Sequence, residues 1–367
     1  MRYLFIFLVT MGLLPLTAQD LPVYDQYIPL EHLNRLEGQG WKNIGYTRFP
    51  KKAEKLVRPD VWSLANNSAG LAVRFKTNAD HIVVKYRVKQ RFSMPHMPTT
   101  GVSGVDLYLK HDRQWQWCKG AYQFGDTVQY RFPIKQLQKK QNEYVLYLPL
   151  YNIIADLTLG VPKGSAMELV SPIGKKPIVV YGTSIAQGAC ATRPGMAWTN
   201  ILARQMDYPV INLGFSGNGR LEEEVVGLIN EIEASVFVLD CMPNLSRLLK
   251  KGDEYAKREV IKRVRRSVIQ LRETHRETPI LLVQHAGYSD AWLNPERKHI
   301  YESLNFWMTQ TFEELQKQGY NKLFMLSKDT IDLNQDSFVD GTHPNDLGMI
   351  HYAKSYQDKL ETILSSM

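Results

Sequence analysis

Residues 177–184 read Pro-Ile-Val-Val-Tyr-Gly-Thr-Ser. The run from Ile178 to Tyr181 has no polar break and is rich in β-branched residues, which suits a strand buried on both faces. Gly182 ends it, and Ser184 follows where the chain enters a turn or helix. A serine so placed can act as a nucleophile, provided that a base takes its proton. The Gly-x-Ser-x-Gly elbow of α/β-hydrolases is not matched, because Ala186 fills the fifth position.

Downstream, apolar runs alternate with helical stretches. Strands are predicted at 210–214, 235–240, 279–285 and 323–327, and helices near 197–206, 221–230 and 303–319, with a long charged helix around 262–266 and a last helix from about 345. Five strands alternating with helices define an α/β domain with a doubly wound parallel sheet, in which ligands bind beyond the carboxyl ends of the strands. Upstream of residue 170 the character changes. Short alternating segments at 71–77, 81–89, 105–111 and 142–150 are separated by turn residues such as Asn78-Ala79-Asp80. They predict an antiparallel β-sandwich of jelly-roll type.

The strand ends carry the candidate chemistry. Gly217, in Ser216-Gly217-Asn218-Gly219, can offer a backbone N–H to a developing oxyanion, and Asn244 can offer a side-chain donor. Asp340-Gly341-Thr342-His343 precedes the last helix. This spacing lets the Asp340 carboxylate hold one imidazole nitrogen of His343 and leave the other to receive the Ser184 proton. His285 ends the fourth strand on the same edge and is a candidate substrate contact, as are His96 and Asp106. Packing is the better reading for all three. The same holds for Trp62 and Trp198.

Taken together, these blocks resemble the SGNH (GDSL-type) hydrolases over about residues 172–367. The resemblance implies a flavodoxin-like sheet, Ser184 as nucleophile, and an oxyanion hole of the Ser184 N–H, the Gly217 N–H and the Asn244 side chain. Two positions depart from the family pattern: Thr183 replaces an acid beside the nucleophile, and Leu245 replaces an acid after Asn244. Gly104-Val105-Asp106-Leu107-Tyr108, after Met94-Pro95-His96-Met97, resembles the Gly-x-Asp-Leu-Tyr domain that precedes some bacterial members.

Arg2 followed by the apolar stretch Tyr3–Leu14 and Thr17-Ala18 reads as a cleaved signal peptide. The expected organisation is a signal peptide over 1–18, a sandwich over 19–170 and a hydrolase domain over 171–367, in a secreted or periplasmic protein. Three cysteines exclude a disulfide framework, and no Cys-x-x-Cys or other zinc spacing occurs, so no metal or cofactor is expected. The net charge of +8 is attributed to solvated helix faces rather than to nucleic-acid binding. The expected activity is removal of a small acyl group, acetyl foremost, from a carbohydrate through Ser184, His343 and Asp340. A lipase, thioesterase or acyltransferase with the same residues, and a silent glycan-binding protein, are the alternatives. Oligomeric state is not legible.

Overall fold

The computed structural model describes residues 24–29, 36–134 and 141–366, the first segment by its backbone alone. The expected signal peptide lies outside the described residues. No described helix is long and apolar enough to cross a membrane.

The front half holds two antiparallel sheets. Its strands are β1 (Tyr24–Pro29), β2 (Ala72–Thr77), β3 (His81–Val88), β4 (Asp106–His111), β5 (Gln114–Cys118), β6 (Ala121–Gln123), β7 (Val128–Pro133), β8 (Asn142–Tyr147), β9 (Ile154–Pro162) and β10 (Met167–Leu169). They pair in the orders β1-β9-β3-β7-β6 and β10-β2-β8-β4-β5. Alternate residues of the two sheets, among them Phe75, Ile82, Val84, Leu107, Phe132 and Leu146, meet in one buried core. This is the predicted sandwich.

The second half is the predicted parallel sheet: β11 (Ile178–Gly182), β12 (Val210–Gly214), β13 (Val236–Asp240), β14 (Ile280–Val283) and β15 (Leu323–Leu326), in the order β12-β11-β13-β14-β15. The period of two along each strand divides its side chains between two layers. Val179 and Tyr181 enter the core beneath helices Glu223–Ile229, Asp253–Thr274 and Pro295–Lys317. Ile178 and Val180 enter the opposite core, beneath Trp198–Met206 and Asp346–Ser365. Trp198 is fully buried there, its ring 4.1 Å from that of Tyr356.

After β11 the chain passes to one side and then returns to the other, so β12 and β13 flank it. Gly182 is in register with Gly214 on one neighbour and Asp240 on the other. The loops after these three strands therefore open at one level, which is the crevice expected at a topological switch point.

The sandwich is joined to this sheet by buried polar contacts. Arg48 is buried and donates to the carbonyls of Leu64, Asn67, Asn212 and Gly214. Burial without a carboxylate partner lowers its pKa to about 9. The Gly-x-Asp-Leu-Tyr segment forms a second joint. Asp106 accepts from Arg193 Nη1 at 2.5 Å and from the Gly195 N–H at 2.9 Å. The Tyr108 hydroxyl also accepts from Arg193, and the Arg204 guanidinium lies 3.9 Å from the Tyr108 ring centroid.

Candidate active site

Ser184 opens a single helical turn, Ser184–Gln187, immediately after β11. The Thr183 hydroxyl caps that turn by accepting from the Ile185 N–H. Thr183, which stands where the family pattern has an acid, is buried and serves the helix N-terminus. As the first residue of the turn, Ser184 has no intrahelical acceptor for its N–H. Its side chain is close to buried, at 7% exposure.

The turn is fitted tightly against its neighbours. A Cβ on Gly214 would lie 2.2 Å from the Gln187 nitrogen, and one on Gly219 would lie 2.1 Å from the Gly182 carbonyl oxygen. Only glycine permits this backbone approach. Gln187 completes the fit. Its amide donates to Leu150 O and Asn67 Oδ1 in the sandwich, and its Oε1 accepts from the Ser216 N–H. The same side chain thus holds the front domain, the Ser184 turn and the glycine loop together.

Gly217 has φ +68°, and its N–H makes no hydrogen bond among the described residues. Asn244 lies in the turn Met242–Leu245, and its Oδ1 accepts from the Gly219 N–H at 3.0 Å. That bond fixes the amide orientation and leaves Nδ2 as the donor end. Leu245, which stands where the family pattern has an acid, is buried in the core.

Asp340 and His343 lie in the loop before the last helix. The loop is closed at its base by Val339 N–H to His343 O and Asn345 N–H to Ser337 O, both 2.9 Å. Asn345 also caps the helix through Gly348 N–H. Arg297 braces the loop from the side, donating to Gly341 O and Thr342 Oγ1. His343 Nδ1 is 2.7 Å from Asp340 Oδ2, and His343 Nε2 is 2.8 Å from Ser184 Oγ. Asp340 Oδ1 accepts from the N–H groups of Thr342 and His343. Burial alone would raise the Asp340 carboxyl, but these bonds outweigh it and hold it below its ordinary value. The carboxylate therefore fixes the proton on Nδ1 and leaves the Nε2 lone pair facing the Ser184 hydroxyl.

Of the three candidate substrate contacts, the structure brings one to this chain of bonds. The exposed His96 stacks beside His343, ring centroids 5.7 Å apart, and so places a sandwich residue at the mouth of the site. Asp106 is a correction: it is 3% exposed, and Trp117, Arg193 and Gly195 engage its oxygens, so it serves the joint between the domains. His285 is likewise turned inward, 1% exposed and beside Tyr288. Burial, with Arg297 and Lys328 nearby, lowers its pKa to about 3, so it stays neutral.

Cys190 is the residue near the site that sequence spacing did not single out. It adopts φ +70°, and its sulfur, a ring nitrogen of His96 and one of His343 lie within 4.8 Å of one another. A divalent ion there would compete for the imidazole that faces Ser184. Burial, with Asp340 nearby, pushes the Cys190 thiol up to about 12, so it is not a rival nucleophile.

A strand-end serine linked through histidine to a carboxylate, on a flavodoxin-like sheet, defines the class of serine acylhydrolases. The GDSL-like lipase/acylhydrolase family model matches residues 175–361, and the model for the N-terminus of SGNH-hydrolase-type esterases, GxDLY, matches residues 26–167. The chain belongs to the GDSL/SGNH acylhydrolase family and is a carboxylic ester hydrolase.

Among solved structures it is similar to one described as a GDSL-like lipase from Bacteroides ovatus, at 33% identity and TM-score 0.85, covering 93% of this chain and 98% of that one. A salicylyl-acyltransferase from a tetracycline biosynthetic pathway shares the fold at 19% identity and TM-score 0.69, over 86% of this chain and 89% of that one. A family two carbohydrate esterase from Cellvibrio japonicus does so at 12% identity and TM-score 0.56, over 93% and 98%. A search of curated proteins finds no match.

Proposed function

We propose that this protein is a serine esterase that removes small acyl groups, acetyl foremost, from a carbohydrate. The observation that carries it is the unbroken chain Ser184 Oγ, His343 Nε2, His343 Nδ1, Asp340 Oδ2, with links of 2.8 and 2.7 Å. Ser184 Oγ attacks the ester carbonyl carbon as its proton passes to His343 Nε2. The Ser184 N–H, the Gly217 N–H and Asn244 Nδ2 are the donors offered to the oxyanion. Collapse breaks the bond to the sugar oxygen, which takes the proton from His343 and leaves an acyl group on Ser184. Water then gives a proton to the same imidazole, attacks the acyl-enzyme and releases the acid, and His343 returns the proton to Ser184. Asp340 stays ionised and stabilises the imidazolium throughout.

The carbohydrate part of the reading is supported by the two-domain layout shared with carbohydrate esterases and by His96, which brings the sandwich to the mouth of the site. The leader-like residues 1–18 support action outside the cytoplasm. Release of acetate from acetylated oligosaccharides, compared with hydrolysis of 4-nitrophenyl acetate, butyrate and octanoate, tests the proposal. It expects acetate to be preferred and acetylated sugars to be deacetylated. Preference for octanoate, or transfer to an added alcohol in place of hydrolysis, overturns it.

A further inference from the structure

Beside Asn244 lies a cavity of about 320 Å³ with an unusual balance of charge. Its wall includes Arg58, Arg220, Arg247, Lys251 and Arg263, with Glu222 as the one carboxylate. Glu222 is already engaged by Arg58, at 2.5 and 3.1 Å. Arg263 donates to the Arg220 carbonyl at 3.0 Å and lies 3.4 Å from Glu259. Arg247 has no carboxylate partner among the described residues, and Lys251 has only the Tyr255 ring. Burial, and to a lesser degree Arg58 and Arg247, lowers the pKa of Arg220, and Glu222 and Asp60 offset this only in part.

This cavity is tied to the reaction centre at two points. Asn244, the proposed side-chain donor to the oxyanion, lines it. Arg220 Nε donates to the carbonyl of Gly217, the proposed backbone donor, at 3.0 Å. A concave, cation-lined space concentrates anions, and guanidinium groups match planar or tetrahedral oxyanions with paired donors.

We propose that this cavity binds an anionic group of the substrate, the carboxylate of a uronic acid or a sulfate ester on the sugar, beside the acyl ester being cleaved. This rests on the esterase reading for its catalytic consequence, but not for binding itself. Anionic ester-bearing glycans are therefore the preferred substrate class. Arg220 and Arg247 face the anion, and Arg58, held by Glu222, supplies background charge.

Two measurements on the full chain test this at fixed ionic strength. Titration calorimetry with glucuronate, sulfate and glucose reads binding without any turnover. At least one of the two anions is expected to bind and glucose is not, and the anion that binds identifies carboxylate or sulfate as the partner. Kinetics then compare acetylated polygalacturonate or a sulfated acetylated glycan with neutral acetylated xylan. Arg247→Gln is expected to lower the anionic-to-neutral ratio of kcat/KM at least tenfold, and Lys251→Gln to lower it less. Binding of neither anion overturns the proposal. So does an unchanged ratio, or an equal loss on both substrates. Anion binding with no turnover of any ester would fault the esterase reading and leave the site standing.

Discussion

Asp106 Oδ2 accepts from Arg193 Nη1 at 2.5 Å across the junction between the sandwich and the hydrolase sheet. Arg193 also lies over the Trp117 ring at 4.6 Å, so the ion pair is roofed by an aromatic side chain. The Gly-x-Asp-Leu-Tyr segment is thus a fastening between domains. Replacing Asp106 with Ala leaves Arg193 partly buried without its counter-charge. Loss of one partner of a buried pair costs about 3–5 kcal/mol, reduced here because Arg193 is a quarter exposed. A loss of about 2–3 kcal/mol is expected in urea unfolding. A change below about 0.5 kcal/mol would show that the pair fastens nothing.

Asp340→Asn keeps the size of the side chain but removes the charge that orients His343. A fall of about 10³- to 10⁴-fold in kcat on 4-nitrophenyl acetate is expected, the scale of a wrong imidazole tautomer. Because the Asp340 pKa is depressed, its ionised form stabilises the folded state. That contribution is present above the ordinary carboxylate value, about pH 4, and is lost as pH falls through the lower folded value. The stability difference between wild type and Asp340→Asn is therefore expected to be full at pH 7 and to shrink below pH 4. A difference that grows on acidification would contradict this.

Asp240, in register with Gly182, has the opposite sign. Burial raises its carboxyl to about 7, opposed only in part by the Tyr356 hydroxyl. The native state therefore binds more protons than the unfolded chain between about pH 4 and pH 7, and stability falls as pH rises through that window. Asp240→Asn is expected to match wild type near pH 4 and to exceed it by about 3–5 kcal/mol at pH 8, the equivalent of roughly three pKa units. Denaturant unfolding at the two pH values checks this, and a mutant equally or less stable at pH 8 would refute it.

The hydrolase sheet was legible because its strands are buried on both faces. Ile178–Gly182, Val210–Gly214 and Val236–Asp240 are apolar runs with one polar residue at most, bounded by glycine or aspartate. The sandwich was legible only in part. Gln114–Cys118 and Ala121–Gln123 are sheet edges with mostly exposed residues, so no alternation marks them. Ile154–Pro162 carries Asp156 at φ +54° beside a register shift against β3, which breaks its period. Pro295, capped by Asn294, begins a helix whose first turns are too polar to announce it.

The local part of the site was also legible. Asp340 and His343 share a loop, and a three-residue spacing is enough for their contact. What joins His96, Cys190 and His343, or turns Asp106 toward Arg193, is the docking of the sandwich, which leaves no periodic trace in the chain. The cationic cavity leaves no trace in the sequence for the same reason, since its arginines come from the residue before the helix Pro59–Ala65, the loop after Gly217 and two later helices.

The most direct test of the account is covalent labelling with a fluorophosphonate probe, followed by peptide mass spectrometry. One label per chain, on the peptide containing Ser184, is expected for wild type. Labelling is expected to vanish in Ser184→Ala and to slow at least a hundredfold in His343→Ala, with both variants keeping the wild-type melting temperature within a few degrees. A label on another residue, or equal labelling in Ser184→Ala, would contradict the assignment of Ser184 as the nucleophile.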